Sequence, residues 1–219
     1  MYRTAFILFP LLTLALMAAP ADAQDDRWQL RVGAVWVDPD VDFRIVNDEN
    51  DRFRAGADSA VGLGVALERR LSPRVGFELG ALAAEPDLTL DADLTDGLHF
   101  RVSDGVRMTA LTAGLNVHLT PDKPVDLYAG PLLGYVRFGD AGFRVQVGGQ
   151  TQAEDFRSGE DFAFGAQIGA DIAFGNSPWS INLAAKYLDA SLEVTDDEGD
   201  RTDLGFDPLI LSAGFGYRF

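Results

Sequence analysis

The chain has no cysteine, which removes disulfides, a thiol nucleophile and thiolate metal centres together. Its two histidines, His99 and His118, are too few for a histidine-rich metal centre. Basic residues are scarce: 18 Lys and Arg stand against 34 Asp and Glu, a formal net charge of −16. A surface this acidic is repelled by phosphate backbones, which argues against nucleic acid as a partner. Beyond residue 23 no apolar run approaches the roughly 20 residues of a membrane-spanning helix. No Gly-rich phosphate cradle is present, and Gly62-Leu63-Gly64 reads as strand packing. What the 219 residues do contain is 47% hydrophobic side chains and 23 glycines. That apolar content argues against disorder, and so much glycine suits close-packed, sharply turning β structure better than helix.

Residues 1–23 have the layout of a secretory leader. Arg3 supplies a positive start, Ala5 to Ala19 an apolar stretch interrupted by Pro10, and Ala21-Asp22-Ala23 a small-residue cleavage site. The mature chain is then expected to span residues 24–219 as one domain.

Along that chain the dominant signal is alternation with a period of two, the signature of strands. Eight segments carry it: Trp28–Val37, Ser59–Arg70, Arg74–Ala83, Val106–Leu119, Val125–Phe138, Asp161–Phe174, Trp179–Leu188 and Pro208–Phe219. Their connections alternate in length. Leu71-Ser72-Pro73, Thr120–Pro124 and Gly175–Pro178 are short and rich in turn residues. Asp38–Asp58, Ala84–Gly105, Gly139–Glu160 and Asp189–Asp207 are long and acidic, and are expected to be loops. Short turns at one end and long loops at the other are the layout of an all-β, eight-stranded antiparallel transmembrane barrel, with turns in the periplasm and loops outside.

Orientation follows from the two faces. One is almost wholly apolar and aromatic; the other holds glycines, amides and charges. The interior of an eight-stranded barrel is narrow enough to be filled largely by side chains, so the apolar face is placed outward, in lipid. About ten residues at about 3.3 Å each, tilted by about 45°, cross roughly 23 Å, the height of a barrel's apolar band. Aromatics cluster at both ends of that face: Trp28, Phe77, Phe174, Trp179, Tyr217 and Phe219 near the turns, Trp36, Tyr135, Phe162 and Tyr187 near the loops. Two interfacial girdles are expected from this. The terminal Phe219, after Phe215 and Tyr217 on one face, matches the sorting signal of outer-membrane barrels.

The end strands add a resemblance. Arg31, Gly33, Val37 and Pro39 form R-x-G-x-x-x-V-x-P; Gly76-Phe77-Glu78-Leu79 is similar to G-V-E-L; Tyr187-Leu188-Asp189 is similar to Y-M-D. Asp207-Pro208, Ser212-Ala213-Gly214 and Gly216-Tyr217-Arg218-Phe219 close the chain. In this the sequence resembles the outer-membrane protein W (OmpW) family of small barrels. The Leu-Pro-Pro stretch that often enters the family's fourth strand is absent from Val102–Met108. The resemblance implies a narrow barrel whose lumen accommodates small hydrophobic molecules on their way across the outer membrane.

Strand direction sorts the inward residues by height. Near the loops the lumen is expected to hold Val35, Val37, Leu82, Val106, Met108, Leu132, Val136, Leu188 and Ile210, an apolar set that either forms a binding pocket or simply fills the barrel. Near the turns it is expected to hold Arg31, Glu68, Glu78, Asn116, His118, Asp126, Gln167, Asp171, Asn182 and Arg218, with Lys186 higher. Buried charge is costly unless paired, so Arg31, Lys186 and Arg218 are matched to Glu68, Glu78, Asp126 and Asp171 as a plug. Two functions follow: passage or binding of small hydrophobic solutes, or a structural or surface-interaction barrel with a filled lumen. Outer-membrane lipid and lipopolysaccharide are the surroundings expected for either. No enzyme is expected, since His118 has no adjacent serine and His99 lies beside Phe100. No cofactor is expected. The acidic runs Asp48-Glu49-Asn50-Asp51 and Asp196–Asp200 have two readings, collection of Ca²⁺ or Mg²⁺ at the lipopolysaccharide surface or simple solvation; both runs lack full EF-hand spacing, which favours solvated loops.

Overall fold

The computed structural model describes residues 27–40, 43–46, 52–93, 99–121, 123–139, 141–147, 150–156, 159–195 and 201–219. The expected leader and the acidic runs at 48–51 and 196–200 lie outside them. The chain rises and falls four times. β1 (Trp28–Asp40) runs outward, β2 (Phe43–Val46) and β3 (Arg52–Ala57) reverse it, and β4 (Ala60–Ser72) returns. After a tight turn β5 (Val75–Ala84), β6 (Asp87–Asp93), β7 (His99–Gly105) and β8 (Met108–His118) repeat the excursion. β9 (Val125–Phe138), β10 (Ala141–Val147), β11 (Gln150–Phe156) and β12 (Glu160–Ala173) form the third. β13 (Trp179–Asp189), β14 (Ser191–Thr195), β15 (Arg201–Gly205) and β16 (Asp207–Arg218) form the fourth.

Eight of these, β1-β4-β5-β8-β9-β12-β13-β16, pair antiparallel with their neighbours, and β16 pairs with β1 from Gln29↔Arg218 to Asp40↔Asp207. The sheet is therefore a closed barrel without edges, the β solution to a solvent that cannot hydrogen-bond the backbone. The ends of these strands fall within three residues of the alternating segments in the sequence.

The long connections differ from the expected loops. They carry β-hairpins that continue the barrel wall outward: a four-stranded sheet β2-β3-β6-β7 and the pairs β10-β11 and β14-β15. Several are extensions of the barrel ladders in the same register. Ala84 pairs with Met108 inside the barrel and Asp87 with Gly105 beyond it, bridged by the Val106 N–H donating to the Pro86 carbonyl at 2.9 Å. Backbone pairing sustains these hairpins.

Exposure confirms which face turns outward. Phe162 (76%), Val61 (74%) and Phe164 (70%) are among the most exposed apolar side chains, whereas Met108, Val136 and Leu188 on the opposite face are fully buried. At the turn end Trp179 meets Tyr217 with ring centroids 4.8 Å apart. At the loop end Tyr135 meets Phe162 at 5.2 Å. These are the two girdles.

Candidate functional site

The lumen is built in two layers. The lower layer, toward the turns, begins with Arg31 on β1. Its Nη1 lies 2.8 Å from Glu78 Oε2 and 2.9 Å from Glu68 Oε2. Its Nε and Nη2 grip both oxygens of Asp171 at 3.1 and 2.7 Å, the two-pronged geometry at which guanidinium excels. The guanidinium also lies 4.8 Å from the centroid of the Tyr128 ring. Four strands on different sides of the barrel thus converge on one cation.

Around this centre the remaining charges close a network. Lys186 Nζ donates to Glu78 Oε1 at 2.7 Å. His118 sits between Glu68 and Asp126, with Nε2 2.8 Å from one and Nδ1 3.1 Å from the other. Arg70 reaches the same two carboxylates, its Nη2 at 2.6 Å from Asp126 and its Nε at 2.8 Å from Glu68. Amides fill the gaps. Asn116 donates to Glu68 Oε2 at 3.0 Å and accepts from Gln167 at 2.7 Å. Asn182 donates to Asp171 at 2.9 Å and to the Tyr128 hydroxyl at 3.0 Å. Four carboxylates face three permanent cations and one histidine, nearly all buried. Pairing is what makes such a layer tolerable inside a barrel.

Arg218, expected in this plug, is half-buried at the turn-end rim, and among the described residues it contacts none of these carboxylates. Arg70 takes the place assigned to it. The alternation Ala66, Glu68, Arg70 points Arg70 inward, but its position at the strand end hid it from the sequence reading. Tyr128 was also missed as a member; its ring is accommodated because residue 169 is glycine, where a Cβ would come within 2.3 Å of Tyr128 Cζ.

The upper layer is apolar. Val35, Val37, Leu82, Val106, Met108, Leu132, Val136, Leu188 and Ile210, all expected here, pack together, each at most 9% exposed. Phe138 and Phe206 cap the cluster edge to face at 4.6 Å, with Ala84, Ala110, Ala163 and Ala190 filling between. Ala57 and Ala60, from the wall, also pack on it. Between the layers lies a cavity of about 50 Å³, lined by Arg31, Glu78 and Lys186 from below, Val35, Leu82 and Ile210 from above, and Gly33, Gly64, Gly80 and Gly214 at the sides. That is room for a few waters.

Pairing is complete over most of the wall, and its interruptions include one above the β4–β5 ladder and one within the β8–β9 ladder. The β4–β5 ladder ends at Leu63↔Ala83 and resumes in the outer sheet at Ala57↔Leu88, one residue out of step. The β8–β9 ladder lapses between Gly114↔Leu132 and Val117↔Ala129, where Pro131 faces Leu115.

Comparison with known proteins agrees with this architecture. OprG from Pseudomonas aeruginosa superposes with a TM-score of 0.61 at 17% identity, over 88% of this chain and 95% of that one. AlkL, determined in lipid bilayers, gives 0.49 at 20% identity over 92% and 94%. Neisserial surface protein A gives 0.47 at 14% identity over 88% and 97%. No curated protein sequence matches significantly. The family profile described as outer membrane protein beta-barrel domain matches residues 7–219. With a lipid-facing apolar exterior, a closed eight-stranded wall and this profile match over nearly its whole length, the chain belongs to the outer membrane protein β-barrel domain family.

Proposed function

We propose that this barrel binds small hydrophobic molecules in the apolar upper layer of its lumen and passes them on without opening an aqueous channel. One observation carries the reading: a continuous buried apolar cluster stands directly above a closed charged network. A solute leaving water for that layer gains about 25 cal/mol per Å² of apolar surface removed, so about 200 Å² supplies about 5 kcal/mol. Met108, Leu132 and Leu188 are unbranched or γ-branched side chains, and their movement would admit it. Downward passage would require the Arg31 network to break, so release is sideways into the membrane. The one-residue misfit in the β4–β5 ladder, level with Ala57 and Ala60 on the apolar cluster, is where the wall offers that exit. The resemblance of the end strands to the OmpW family supports the same reading.

The tight packing of the upper layer favours a second reading, a structural or surface-interaction barrel with a filled lumen. Binding of an apolar fluorescent dye to the refolded protein separates the two. Saturable binding that Leu132→Arg weakens about tenfold or more supports the first; no binding, or binding that Leu132→Arg leaves unchanged, supports the second. We also propose that the barrel is not an enzyme. Both ring nitrogens of His118 are engaged by Glu68 and Asp126, so neither is available to activate a nucleophile.

A further inference from the structure

The turn end of the barrel has a feature that neither lumen layer uses. On the outer surface Trp28, Arg69 and Phe77 stand side by side, because Trp28 pairs with Arg69 across β1–β4 and Arg69 with Phe77 across β4–β5. The Arg69 guanidinium lies 5.4 Å from the Trp28 ring centroid, a cation–π placement that holds it against the girdle rather than swinging free. Arg74 is exposed in the turn of the same β4–β5 hairpin, where the Ser72 hydroxyl accepts from the Arg74 and Val75 N–H groups and fixes the turn. Among the described residues no carboxylate pairs with Arg69 or Arg74.

This stands out against the rest of the molecule. The chain carries a formal charge of −16, yet the sector made by β4 and β5 presents two guanidinium groups that no carboxylate among the described residues compensates. The described turn residues between β12 and β13, Phe174 to Pro178, carry no charge at all. Arg69 sits at the level of the aromatic girdle, with Leu79 exposed on the lipid-facing surface nearer the barrel's middle. The molecule beside it there is lipid, and at the turn end that lipid is phospholipid of the inner leaflet. Guanidinium is the side chain best matched to phosphate oxygens, and basic residues beside a membrane segment select anionic headgroups.

We propose that Arg69, held on Trp28 and seconded by Arg74, forms a binding site for the headgroup of an anionic phospholipid, with an acyl chain lying along Phe77 and Leu79. The site concerns the exterior of the barrel and does not depend on what the lumen carries.

Trp28 is the built-in reporter. The chain has three tryptophans, so Trp36→Phe with Trp179→Phe leaves Trp28 alone. The protein is refolded into phosphatidylcholine vesicles containing either brominated phosphatidylglycerol or brominated phosphatidylcholine at equal mole fraction. Quenching of Trp28 then reports which lipid occupies its surroundings. The expected result is a preference for the anionic lipid of about fivefold, lost in Arg69→Gln, reduced in Arg74→Gln, kept in Arg69→Lys, and weakened by salt. Equal quenching by the two lipids in the parent protein overturns the proposal. So does a preference that survives Arg69→Gln and Arg74→Gln together. A gel-mobility check of heat-modifiable folding accompanies each variant, and Arg69→Lys, which keeps the charge, supplies the folded comparison if the glutamine variant refolds poorly.

Discussion

At the scale of single residues Arg31 is the centre of the lumen's charged layer. It holds three carboxylates from three other strands, and each of them is almost completely buried. Replacing it by methionine keeps the volume and strands those carboxylates. A buried pair broken on one side costs about 3–5 kcal/mol, so Arg31→Met is expected to lower the unfolding free energy by that amount, read as a lowered urea midpoint in detergent. A loss below about 1 kcal/mol would show that the network contributes little to holding the barrel together. Gly169 makes a second residue-scale prediction. A methyl group there would overlap the Tyr128 ring, and overpacking of that kind costs about 1–3 kcal/mol. Gly169→Ala is expected to destabilise by that amount and to loosen the Arg31–Tyr128 contact, which near-ultraviolet circular dichroism would register. These two residues differ in how visible they are beforehand. Arg31 announces itself by standing on the inward face of an alternating strand. The need for glycine at 169 depends on a ring contributed from β9, which no local pattern contains.

At the scale of elements β9 carries Pro131 in the middle of a closed wall, whereas Pro39 of β1 and Pro208 of β16 lie near the outer ends of their strands. Proline is ordinarily confined to edge strands, where a missing N–H is harmless. Here the bonds from Leu119 N–H to Leu127 and from Gly139 N–H to Arg107 fix which β8–β9 pairs exchange hydrogen bonds. Leu115 and Pro131 fall on such a pair, so the Leu115 carbonyl lacks its ladder donor at a lipid-facing position. It approaches Gly130 instead, where a Cβ would lie only 1.6 Å from it. Pro131→Val returns the donor while keeping an apolar side chain toward lipid. It is expected to stabilise the barrel by about 1 kcal/mol, measured as a raised urea midpoint; an unchanged or lowered midpoint would mean the wall had already adapted to the gap. The eight barrel strands were legible in the sequence because apolar and small or polar residues alternate strictly, as in Leu111, Ala113, Leu115 and Val117 against Thr112, Gly114, Asn116 and His118. The outer hairpins carry the same signal less clearly: Leu88, Leu90 and Ala92 alternate with Asp87, Thr89, Asp91 and Asp93 inside segments whose acidic composition reads as loop. Their acidity points to solvent, but a solvated segment can still be a strand when it extends a ladder already formed in the barrel.

At the scale of the whole molecule, sequence and structure agree on an inverted wall: greasy outside, with the charged groups gathered in the turn-end half of the lumen. The sorting of lumen residues by height was accessible because strand direction alternates and the period is two, so each inward residue has a defined level. Arg218 was misplaced because a residue at the end of a strand can face the rim as easily as the lumen. Which lumen residues touch was not accessible, since the partners of Arg31 come from β4, β5 and β12, up to 140 residues away in sequence. The consequence for transport is that water and ions meet the Arg31–Glu68–Glu78–Asp171 layer whichever side they enter from. The central claim, a barrel closed to water beneath an apolar layer, is tested most directly by osmotic swelling of liposomes containing the refolded protein in an isotonic solution of a small sugar. The account predicts no swelling beyond that of protein-free liposomes. Swelling whose rate rises with the amount of barrel inserted would contradict it.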